Sequence, residues 1–175
     1  MITFLRLVGI FNAAIWFGAA AFFTFGVGPA FFAPDMINLV GRPRAGVAVQ
    51  MILDRYFVVQ HWCGVIALVH LVAEWLYTGR PLSKLTLSIL VVMLGLGLAG
   101  HYGLQPRLNR LHLTMYGLRS TPEQAEQARR SFQTWHGFAQ GLNLLMLVGM
   151  VYYLWQVSQP PAVSRFLRAN RFQLE

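Results

Sequence analysis

A chain of 175 residues that is 56% hydrophobic and only 11% charged, with a mean hydropathy of +0.50, is of single-domain size but far below the ~25% charge of a soluble domain. That deficit excludes an ordinary water-soluble globule and calls for a surface that faces lipid. The net charge of +8 is almost all arginine, Lys84 being the only lysine; the arginines flank apolar runs, where lipid phosphates can meet them, and no separate basic domain exists to hold a nucleic acid.

The pattern predicts an all-α integral membrane four-helix bundle. The first apolar run, residues 7–25, is longer than the ~7–15 residues of a signal-peptide core. It reads as a retained first span over residues 4–32, with a bend at Gly26, Gly28 and Pro29. A short connector holding Pro34, Asp35, Arg42, Pro43 and Arg44 follows. A second helix is expected from Ala45, with Asp54 and Arg55 marking the membrane boundary and span 2 over residues 56–77. Gly79 and Pro81 end it sharply.

Span 3 is expected over residues 85–102, with Gly103 and Pro106 beyond it. The connector 104–131 reads as helical and extramembrane: residues 107–116 are amphipathic, and Gly117 is placed to end them. Thr121, Pro122 and Gln124 then supply an N-cap, a proline in the first helical turn and the partner of a capping box. Glu126 is spaced to pair with Arg129 or Arg130. Span 4, residues 132–157, is stopped by Pro160 and Pro161, and a basic tail over 158–175 is expected on headgroups. Each apolar stretch reaches or approaches the ~20 residues that cross ~30 Å of hydrocarbon.

Basic residues divide eight on the side of the two long connectors against six on the side of the termini. The positive-inside rule then places the connectors in the cytoplasm and both termini outside it.

Polar residues inside a span are expected to face other helices, because an unsatisfied polar group in lipid is costly. Gln60, Cys63, Ala67, His70 and Glu74 make one stripe along span 2, and Gln133, His136, Gln140 and Asn143 make another along span 4. Gly95, Ala99 and Gly103 form a small face on span 3, and Gly9, Asn12, Trp16 and Ala19 a seam on span 1. Packing and interhelical hydrogen bonding are the plain account of these stripes. Trp62, Trp75, Trp135, Trp155, Tyr152 and Tyr153 stand near span ends as interfacial anchors.

Two constellations carry chemistry beyond packing. His61, His101 and His136 are predicted at similar depth on the connector side. Facing histidines in a bundle hold haem b in membrane cytochromes, and imidazole also suits copper or zinc. Against this, His61 lies about 100° from Gln60 around its helix and no H-x-x-x-H motif reinforces it. His70 and Glu74, at i and i+4, form a pair suited to a proton relay, or else a helix-end ion pair that takes in Arg80. Cys63, the only cysteine, excludes an intrachain disulfide and reads as an inert buried thiol.

Residues 16–32, rich in phenylalanine and closing on Gly28-Pro29-Ala30-Phe31-Phe32, resemble the first helix of the transmembrane-protein-205-like family. Gln105-Pro106-Arg107 resembles that family's third-helix exit, and His136-Gly137 followed by Asn143-Leu144 its last-helix motif. The resemblance implies a small four-span protein of uncharacterised function, in bacteria a resident of the cytoplasmic (inner) membrane, with no established active site. A fainter likeness links the chain to four-helix proteins of copper resistance and haem biosynthesis. Those carry an essential histidine in their first helix, which this chain lacks.

The reading that follows is a non-enzymatic structural, partner-binding or transport-related membrane protein. Its partners would be lipids and other membrane proteins or a second copy, and haem or metal binding is its alternative.

Overall fold

The computed structural model describes residues 2–79, 81 and 83–159. Among these there is no strand. The helices are α1 (Ile2–Phe22), α2 (Gly28–Phe31), α3 (Pro34–Val40), α4 (Arg42–Thr78), α5 (Lys84–Ala99), α6 (Gln105–Tyr116) and α7 (Pro122–Ser158). Four continuous helical segments, Thr3–Phe31, Arg42–Tyr77, Lys84–Tyr116 and Pro122–Ser158, are long and apolar enough to cross a membrane. The chain is a multi-pass membrane bundle.

Local chemistry explains the boundaries. Gly79 ends α4 in the left-handed conformation, φ 64°, with its N–H on the Trp75 carbonyl, a geometry that glycine adopts without a Cβ penalty. Ser83 caps α5 by accepting from the Thr86 N–H at 3.3 Å. Thr121 and Gln124 close both halves of the capping box at the start of α7. Glu126 reaches Arg130 at 3.1 Å and Arg129 at 3.9 Å. Gly117 ends α6.

Two π-helical turns, Phe23–Val27 and Gly100–Leu104, interrupt these rods, and each ends two residues before a proline, Pro29 and Pro106. A proline has no N–H to give and its ring crowds the carbonyl four residues back. Widening the preceding turn to an i→i+5 bond relieves that clash: the Gly28 N–H goes to the Phe23 carbonyl, and the Gln105 N–H lies next to the Gly100 carbonyl. The expected bend in span 1 therefore takes the form of a π turn. Span 3 does not stop near Tyr102 but runs through its own π turn into α6. Likewise α4 begins at Arg42 rather than Ala45 and is one unbroken helix of 37 residues.

α1 packs on α4 and α7, and α5 packs on the same two helices from the opposite side. This is the neighbour order of an up-down-up-down bundle. Trp16 and Tyr153 meet edge to face at its centre, 6.3 Å apart, among Ala13, Ala20, Ala67, Leu90, Met93 and Met150. Phe11, Ile15, Phe22, Val69, Val92 and Val148 point outward, as lipid contact requires.

At 1.5 Å per residue α4 and α7 are each about 55 Å long, roughly 25 Å more than the hydrocarbon layer. The overhang carries Arg42, Arg44, Arg55, Arg129 and Arg130; α6 packs there against α4 and α7, and Arg107 sits 4.0 Å over the Trp135 ring, a cation–π contact.

Three expectations about faces are corrected. Tyr153 is a core residue, not an anchor. Gly95, Ala99 and Gly103 are exposed; the close approach of α5 to α4 is made instead by Gly97, beside Gln60 and His61, with Gly100 of the π turn against Phe57. The polar stripe of span 4 also faces outward, Gln133, His136 and Gln140 being exposed, with only Asn143 turned inward. Gln140 lies about 120° around the helix from Met146, the start of the buried arc. α2 and α3, which follow the π turn of α1, pack against α4, with Phe23 stacked 4.8 Å from Tyr56.

Candidate functional site

The seam of α4 faces the interior: Gln60, Cys63, Ala67 and His70 are all buried. Gly9 of α1 makes room for the His70 imidazole, since a Cβ there would sit 2.5 Å from the ring. Nε2 of His70 lies 3.0 Å from the Leu5 carbonyl. A carbonyl only accepts, so Nε2 carries a proton; Nδ1 is buried without a hydrogen-bond partner among the described residues. His70 thus bonds across to α1 rather than to Glu74, which is exposed one turn further on. Arg80, the other expected partner of Glu74, lies outside the described residues, as does the tail beyond residue 159.

Other polar groups share this interior. Asn12 donates to the Cys63 carbonyl at 2.9 Å, and Gln60 donates to the Met146 sulfur at 3.4 Å. Gln60 Oε1 and Trp16 Nε1 are buried without a hydrogen-bond partner among the described residues, and the buried Tyr153 hydroxyl has the Asn12 side chain beside it. These three residues and His70 are each at most 5% exposed. In a bundle surrounded by hydrocarbon, an orphaned polar group costs several kcal/mol by order of magnitude, so these interior side chains are where a role beyond packing is to be sought.

On the connector side the seam opens into an aromatic nest. His101, carried on the second π turn, stacks on Phe57 at 5.0 Å and 3°, on Tyr102 at 4.6 Å and 23°, and on His61 at 5.4 Å and 20°. Among the described residues, Nε2 of His61 and Nδ1 of His101 have no hydrogen bond of ordinary geometry, and the His61 ring lies against Gly97 of α5. Asp54, one α4 turn from Phe57, accepts a hydrogen bond from Gln105 Nε2 and faces His101 Nε2 at 4.0 Å. Arg55, its sequence neighbour, is exposed, and adjacent helical residues do not face one another. A cleft of 520 Å³ lies beside this nest, between α4, the π turn and α6.

The three histidines predicted to cluster are therefore divided. His61 and His101 come together, while His136 is exposed and stacks on Phe132 at 5.5 Å. Imidazole lone pairs lie in the ring plane, so two nearly parallel stacked rings direct them side by side rather than onto one ion. Among the described residues no three His, Cys, Asp or Glu side chains are grouped to hold a metal. Asn143 donates to Thr24 Oγ1 at 2.7 Å, and Thr24 in turn donates to the Ala20 carbonyl at 2.7 Å, spanning the mouth of the first π turn.

His112 is a buried histidine that the sequence reading passed over. Its ring rests on Gly46, where a Cβ would lie 2.3 Å from Nε2, between Tyr116 and Phe132. The signal was present. His112 lies four residues from Leu108, on the apolar side of an amphipathic helix.

Residues 11–117 match the model of a family described as "Domain of unknown function (DUF4149)". That region takes in most of α1 and all of α2–α6, and with them His70, Asp54, His61 and His101. A protein of Aquifex aeolicus (strain VF5), described as uncharacterized, is 30% identical over 135 residues, 77% of this chain and 83% of its own. No solved structure matches.

Proposed function

This chain belongs to the DUF4149 family, and from its interior we propose that it is a non-enzymatic, transport-related membrane protein whose core seam relays protons between Glu74 and the His61–His101 nest. The observation that supports this is the set of buried polar side chains in one core, Gln60, Trp16, Tyr153 and His70, with Gln60 Oε1, Trp16 Nε1 and His70 Nδ1 lacking a hydrogen-bond partner among the described residues. From Asp54 to Glu74 the α4 rise is about 30 Å, the thickness of the hydrocarbon layer. Ionisable groups so placed inside a bundle belong to ion and proton pathways. Tyr and His both accept and donate protons, as a relay needs.

The test is proton entry into liposomes holding the purified protein and a pH-sensitive dye, driven by a potassium diffusion potential. Flux above that of protein-free liposomes, lowered in Tyr153→Phe, His70→Gln and Glu74→Gln, is expected. Flux equal to empty liposomes, or unchanged in all three variants, overturns the reading.

A second reading, partner binding, is favoured by the exposed polar flank Gln133, His136 and Gln140 on α7, which a neighbouring helix in the membrane would cover. The exposed Gly95–Ala99–Gly103 face offers a further surface for a second copy. Subunit counting in nanodiscs tests this: more than one copy per disc, reduced to one in Gln140→Leu, supports it. The motifs of residues 16–32, 105–107 and 136–144 support kinship with transmembrane-protein-205-like proteins, and with it residence in a bacterial cytoplasmic membrane; the eight-to-six balance of basic residues supports connectors inward.

A further inference from the structure

We propose that the cleft between α4, the second π turn and α6 is a binding site for an organic ammonium group. Its 520 Å³ falls among the volumes of small-molecule sites, roughly 300–1,000 Å³. Among the described residues, Asp54 is the one charged side chain lining it and no arginine or lysine does, although eight arginines belong to this side of the protein. A wall that, among the described residues, holds one carboxylate and no arginine or lysine is complementary to positive charge.

The rest of the lining fits the same chemistry. Gln105 fixes one Asp54 oxygen, leaving the second to accept from an ammonium N–H or to face a quaternary nitrogen. The His101 and Tyr102 rings stack on one another beside it, and aromatic faces attract alkylammonium groups. Gln50 and Asn109 add neutral carboxamides, while Val47, Met51 and Leu113 supply an apolar wall for the carbon body of the ligand. The carrier of the nitrogen is either an aminophospholipid headgroup or a free amine solute, because the cleft lies where the overhang meets the bilayer. The proposal does not depend on proton relay, and its test measures binding alone.

The full-length protein in maltoside detergent is titrated calorimetrically with hexyltrimethylammonium and with its uncharged carbon isostere. Saturable binding of the cation is expected, weakened by about tenfold or more in Asp54→Asn and weakened in Tyr102→Leu, with the isostere not binding. Asp54→Asn keeps the shape of the side chain, and circular dichroism of each variant confirms its helices. To separate the two sources, native mass spectrometry compares protein released from phosphatidylethanolamine and phosphatidylglycerol nanodiscs. Retention of phosphatidylethanolamine by the parent protein but not by Asp54→Asn assigns the headgroup; soluble-amine binding without such retention assigns a free solute. Equal binding of cation and isostere, binding unchanged in Asp54→Asn, preference for the anionic lipid, or no binding of any probe overturns the proposal.

Discussion

Gly9→Ala puts the α1–α4 contact to a quantitative test. The new methyl group would stand 2.5 Å from both Cε1 and Nε2 of His70, a residue that is only 5% exposed. Either α1 moves away or the imidazole rotates and loses its bond to the Leu5 carbonyl. Overpacking of this kind costs about 1–3 kcal/mol, and the lost hydrogen bond adds about 1 kcal/mol. Alanine regains about 1 kcal/mol of helix propensity over glycine, so the net destabilisation is about 1–3 kcal/mol. Equilibrium unfolding in mixed micelles of dodecyl maltoside and SDS, followed by circular dichroism, measures it. In a His70→Ala background the same substitution meets no ring and its cost disappears. Gly137→Ala, which meets nothing within 4 Å, serves as a control and is neutral or slightly stabilising. The reasoning fails if Gly9→Ala is as stable as the parent protein, or costs the same with and without His70.

Other consequences can be checked in the same preparation. Thr121→Ala removes the capping box and costs about 1 kcal/mol, read as faster amide exchange in the first turn of α7; unchanged exchange would count against a stabilising cap. Thr24→Val and Asn143→Ala, singly and together, should show a coupling of about 1 kcal/mol, and additive costs would mean that their 2.7 Å bond contributes nothing. A dithionite-reduced visible spectrum should lack a Soret band, because the His61 and His101 rings stack in near-parallel planes. A stoichiometric band that disappears in His101→Ala would show that the nest opens to take haem.

Some of this architecture was legible in local chemistry. The apolar runs gave the four spans because a helix must hide its backbone from hydrocarbon over a fixed length. Thr121 and Gln124 announced the start of α7, and Gly79 the end of α4, since caps involve residues within a few positions of each other. The inward face of Gln60, Cys63, Ala67 and His70 was readable from its spacing. Where a contact joins distant residues no such signal exists: Gln105 and Asp54 are 51 positions apart, and neither side chain marks the other.

The amino-acid order alone thus determined that four segments are long and apolar enough to cross a bilayer and which side of each helix differs from the rest. Only the assembled bundle decided which of those sides turns inward. Periodicity records that Gln133, His136 and Gln140 share a face; it says nothing of what stands opposite. In the bundle that flank of α7 stays uncovered, while the seam of α4 closes against α1, where His70 fits over Gly9 and Asn12 bonds to the Cys63 carbonyl.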